Sequence, residues 1–160
     1  MPKKQKEQKK KISNMGPWGK VFLAGAAYAI IGMIIHMIEA AYTMDYYTNP
    51  IYFPLWSLMM MPTAGAPPMD FFITSLAFGL FTGMLIAYVY LVVKDSIPEK
   101  NLWVKGAKYG WLLFLVAGIP MFLSLYLLLS IPFGLIFSWL ASGFIIYLAG
   151  GAAMGRIVGQ

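Results

Sequence analysis

From Val21 onward the chain alternates long apolar runs with short polar breaks. Val21 to Thr43 is apolar except for His36 and Glu39, and three further runs cover about 71–93, 104–129 and 133–153. Each has near the roughly 20 residues that a helix needs to cross a bilayer. The pattern predicts an all-α integral membrane bundle of four transmembrane helices, preceded by a polar tail over residues 1–18 and forming one transmembrane domain over 19–160. The break between the last two runs is only Ser130-Ile131-Pro132, so these helices form an antiparallel hairpin. Pro120 interrupts the third run. It removes one backbone donor and frees the carbonyl near Val116, which predicts a kink, with Ser124 close enough to satisfy freed groups.

Asp45 to Met69 breaks the pattern differently. It holds five prolines and no Lys or Arg. Its apolar centre, Leu55 to Met61, is about 10 Å long as a helix and cannot span. The expectation is a short interfacial or re-entrant helix in the first outer loop.

Composition narrows the class. The chain is 60% apolar and 11% charged, against about 25% charged residues in soluble domains. The mean hydropathy of +0.71 excludes disorder as a whole-chain description. With no Cys and one His, thiolate chemistry and a multi-His metal centre are excluded, and no metal site is assigned.

Charge then orients the spans. Seven of the twelve basic residues precede Val21, four more (Lys94, Lys100, Lys105, Lys108) follow the second run, and Arg156 follows the fourth. The other two connections have none. The positive-inside rule places both termini and the middle loop in the cytoplasm, in a cell (plasma) membrane. The first run is too long for a secretory signal and Glu39-Ala40-Ala41 is a poor cleavage site, so it reads as a retained anchor. Trp18, Tyr88, Tyr90 and Trp103 fall where inner-interface aromatic anchors belong. The basic tail suits an anionic lipid surface, and without interleaved aromatics it does not suit nucleic acid.

Small residues recur at every fourth position: Ser75, Gly79, Gly83 and Ala87 in the second run, and Gly151 and Gly155 in the fourth. Such ladders let helix backbones approach closely, within one chain or between subunits.

The candidate intramembrane polar site is His36 and Glu39, three residues apart on one helix and the only ionisable groups inside the spans apart from end lysines. Counting from Lys20 at about 1.5 Å per residue places them about 24 and 28 Å along, in the outer half. The outer loop adds Asp45, Tyr46, Tyr47, Trp56 and Asp70, the last also suited to cap the second helix. Three readings compete. The pair fastens the loop to the bundle by hydrogen bonds. Alternatively it passes or senses protons or cations, because burial and neighbouring charge tune such groups. Lastly, with Met33, Met37 and Met59 to Met61, it offers soft ligands to Cu(I), although methionines in an apolar chain usually pack.

No catalytic pattern is present: no G-x-S-x-G, H-E-x-x-H, Walker A or dinucleotide fingerprint. An enzyme is not the expectation, and no cofactor is implied. The leading expectation is a structural or accessory membrane subunit acting through helix packing and its outer loop. Its partners are the bilayer and other membrane subunits or further copies of itself. The alternative is a small proton- or cation-coupled transporter or channel using the His36/Glu39 pair.

Overall fold

The computed structural model describes residues 14–63 and 66–159; most of the basic tail lies outside them. Helix α1 runs Pro17–Thr48. Its first residue is a proline, whose fixed φ and missing donor suit the first helical position. It ends at Asn49, held in extended backbone as expected of a residue before proline. Asn49 Oδ1 accepts from the Ile51 N–H at 3.1 Å and opens a 3-10 turn over Pro50–Leu55. The short helix expected at Leu55 to Met61 is therefore displaced. Pro50 sets the turn early, and the rest of the connection is irregular.

Helix α2 spans Met69–Val93 and follows Pro68. After a 3-10 turn at Lys94–Ser96, α3 spans Leu102–Leu113, with the Asn101 side chain accepting from the Trp103 N–H at its N-cap. A π turn at Phe114–Gly118 leads into α4, Ile119–Leu128. Together α3, the π turn and α4 make the third span. Helix α5, Phe133–Val158, completes the bundle. All four spans are long and apolar enough to cross a membrane, and the chain is a small multi-pass membrane protein.

The disturbance at Pro120 takes a specific form. A proline cannot donate to the carbonyl four residues back, and the backbone answers with one wide turn just before it. The Ile119 N–H bonds to the Phe114 carbonyl. Ser124 Oγ donates to the carbonyl of Pro120 itself, at 2.9 Å, and so does not serve the group freed near Val116.

Helices α1 and α5 form the centre. α1 packs on α2 and α5, and α3 packs on α5. The close approaches use the glycines. A Cβ on Gly151 would lie 3.0 Å from the Gly110 Cα and backbone N, and one on Gly83 2.7 Å from the Gly25 carbonyl oxygen. No side chain fits at either place. The small-residue ladders are thus engaged inside the chain: Gly79 and Gly83 face α1, and Gly151 and Gly155 face α3. Ala87 is fully buried, whereas Ser75, at the other end of its ladder, is exposed.

The up-and-down order puts both described chain ends and the Lys94–Asn101 connection at one end of the bundle, here the basic end. The two connections without Lys or Arg lie at the other, the loop end. Near the basic end, Tyr109 Oη donates to the Ile86 carbonyl at 2.8 Å, joining α3 to α2, and its ring lies 5.1 Å from that of Tyr90. Tyr90 is fully buried. It is a core residue rather than an interfacial anchor, because its face of α2 turns towards α3. Trp18 and Tyr88 remain outside and stack, with centroids 5.8 Å apart and planes 2° from parallel. Trp103 is 53% exposed.

Candidate polar site at the loop end

The site is built from α1 and α5. Glu39 lies on the α1 face that meets α5 and is only 8% exposed. One turn later, Thr43 Oγ1 lies 2.9 Å from both Glu39 Oε1 and the Glu39 carbonyl oxygen, so its single proton is shared. From α5, Ser138 Oγ donates to Glu39 Oε1 at 2.8 Å. One carboxylate oxygen thus receives two hydroxyls. Oε2 accepts no hydrogen bond among the described residues.

A ring cluster adjoins this network. Trp139 Nε1 donates to Tyr47 Oη at 2.8 Å, tying α5 to the last turn of α1. The Tyr47 and Trp56 rings lie 5.2 Å apart, and the Trp56 and Trp139 rings 6.3 Å apart. Trp56 Nε1 is buried with no acceptor among the described residues. Tyr47 follows Glu39 by about two turns of α1. Leu135 and Ile136 of α5 and Ile131 close the apolar side. The first connection is thereby fastened onto the bundle by rings, with Trp56 as its inserted group.

The structure separates His36 from Glu39. His36 is exposed, and no hydrogen bond or ion pair joins it to the carboxylate among the described residues. A three-residue step is about 300° of helix rotation, so the side chains diverge by about 60°. Here that difference puts Glu39 against α5 and leaves His36 outside.

The loop candidates divide. Tyr47 and Trp56 belong to the ring cluster. Tyr46 packs beside Tyr52, and its hydroxyl lies where a Cβ on Gly134 would be. Asp45 and Asp70 are exposed. Asp70 does not cap α2. Pro68 occupies the N-cap position, and Asp70 sits inside the first turn without a capping bond, where its charge favours the helix dipole. No group of three or more His, Cys, Asp or Glu side chains able to hold a metal occurs among the described residues.

Sequence reasoning missed Thr43, Ser138 and Trp139 as members of this site. Thr43 was accessible as an i+4 neighbour of Glu39 on the same face. Ser138 and Trp139 required the register between α1 and α5.

Compared with known proteins, the chain matches no family model, no curated protein and no solved structure.

Proposed function

We propose that the chain is a structural or accessory subunit of a membrane assembly, with both termini on the cytoplasmic side of the cell membrane. The supporting observation is α4. From Ile119 to Leu128 it has no buried residue, whereas the glycine ladders of the other helices are taken up within the chain. Lipid tails are as apolar as leucine, so no hydrophobic drive folds α4 back onto its own bundle. Packing against another subunit is the use it leaves open. Native mass spectrometry of gently extracted protein tests this. The expected result is a complex with further subunits that is lost in Leu123→Trp/Leu127→Trp. A lone monomer under all gentle extractions would rule the reading out.

A second reading has one specific observation behind it. Glu39 Oε2 accepts no hydrogen bond among the described residues, and intramembrane carboxylates commonly serve protons or cations. On this reading the chain is a small proton- or cation-coupled transporter or channel. Its test is flux into proteoliposomes, which Glu39→Gln should abolish while the bundle stays folded.

A further inference from the structure

We propose that the loop end binds an organic ammonium cation, anchored on Glu39 Oε2 and walled by Tyr47 and Trp139; this rests on the second reading above. Three observations converge on it.

The first is the division of labour within one carboxylate. Thr43 and Ser138 both donate to Oε1, which fixes the group, while Oε2 accepts no hydrogen bond among the described residues. No Lys or Arg neutralises it. The stretches from Val21 to Val93 and from Tyr109 to Gly155 have none.

The second is the field. The loop end bears Glu39, Asp45 and Asp70, and its only basic group is His36. A region of single-sign charge against low-dielectric walls concentrates cations.

The third is the wall. Tyr47, Trp56 and Trp139 form one ring cluster, with Tyr47 one turn beyond Thr43 and Trp139 next in the chain to Ser138, the two residues that donate to the carboxylate, and aromatic faces attract ammonium groups. Trp56 Nε1 is a buried donor without an acceptor among the described residues, which gives an oxygen on the ligand a partner. A bare alkali ion asks instead for a shell of oxygens. One carboxylate plus rings suits a substituted ammonium bearing a hydroxyl or ester oxygen, either free or as a lipid headgroup.

The test uses the full chain in phosphatidylglycerol nanodiscs and follows tryptophan fluorescence during titration with choline. The control is its neutral isostere, 3,3-dimethylbutan-1-ol. Saturable binding of choline but not of the isostere is expected. Glu39→Gln keeps an oxygen for Thr43 and Ser138, and it should weaken binding about tenfold or more, as loss of a charged partner does. Tyr47→Leu should weaken it severalfold. If phosphatidylethanolamine discs abolish the choline response by competition, the natural source is a headgroup; if they do not, it is a free ammonium. Equal binding of the isostere, unchanged binding by Glu39→Gln, or no saturable response overturns the proposal. A Glu39-dependent response to Na⁺ or K⁺ with none to choline would overturn it too, while leaving the cation reading standing. Glu39-independent flux would remove both.

Discussion

Ser138 Oγ of α5 donates to Glu39 Oε1 of α1 at 2.8 Å, across 99 residues of chain. The bond belongs to the α1 face that meets α5 at the loop end. Thr43 and Tyr47 lie on that face with Glu39, and the ring cluster forms on the same side, while His36 lies outside it.

Removing that hydroxyl should loosen the loop end without unfolding the bundle. Bonds to charged groups are worth about 1.5–3 kcal/mol in water-soluble proteins, but hydrogen bonds between membrane helices average nearer 0.6. Thr43 still donates in the variant, so the lower figure governs. Ser138→Ala is expected to lose about 0.6 kcal/mol. Tyr47→Phe should lose more, about 1–3 kcal/mol, because it leaves the part-buried Trp139 Nε1 without its acceptor. Steric-trap or denaturant unfolding in micelles measures both. A larger loss for Ser138→Ala than for Tyr47→Phe would contradict this ranking.

The glycines separate sharply by what an added methyl would meet. At Gly155 it would run into the Leu102 carbonyl and the Gly106 backbone, whereas at Gly32 the nearest atom is an Ile146 methyl at 3.9 Å. Overpacking against backbone costs about 1–3 kcal/mol or more, and an ordinary contact leaves stability within about 0.5 kcal/mol. Gly155→Ala is expected to lower the melting temperature clearly, and Gly32→Ala to leave it nearly unchanged. Gly79 and Gly83 test the same idea inside one ladder. Gly83→Ala meets the Gly25 backbone below 3.0 Å, and Gly79→Ala meets only Ala29 at 3.4 Å or beyond. Equal melting temperatures for that pair would show that α1 and α2 do not cross where described.

The sequence displayed the four spans plainly because a bilayer demands about 20 apolar residues and little else does. Helix ends were harder to read. Asp45 looks like the start of a loop, yet a charge near a helix end does not stop a helix, and Asn49-Pro50 does. Glu39 stood out because a carboxylate is conspicuous among apolar neighbours. Its partner did not, since Ser138 is one serine among several and only the α1–α5 register selects it. The exposure of His36 was hidden for a related reason. A three-residue spacing names a face only to within about 60°, and the helix crossing decides inside that margin.

Pro120 should control the direction of α4. Its missing donor is matched by the π turn at Phe114–Gly118, so Pro120→Ala allows an unbroken α-helix with one more backbone bond. Restoring that bond redirects everything after it. Spin labels at Leu127 and Ser75, both exposed, should then report a changed separation, and the interior of the span should become more stable. An unchanged distance distribution would mean that packing of Phe114 over Gly118, and not the proline, sets the turn.

The pair at the basic end gives a pH prediction with a definite sign. Lys108 Nζ lies 2.9 Å from Glu99 Oε2, and the backbone N–H groups of Lys100 and Asn101 donate to Oε1. The Lys108 hydrogen bond first, then the Asn101 N–H, hold the Glu99 carboxyl below its ordinary value of 4.5. A carboxyl whose folded value is depressed adds stability above the unfolded value and loses it as pH falls through the folded one. The contribution is therefore intact at neutral pH and disappears below pH 4.5. NMR titration of the Glu99 side-chain carbon should give a midpoint under 4.5. Lys108→Ala should raise that midpoint without fully restoring it, because the backbone donors remain. Added salt should weaken the Lys108 share more than the backbone share, since an exposed ion pair is screened. A midpoint that Lys108→Ala does not move would assign the shift to the backbone donors alone.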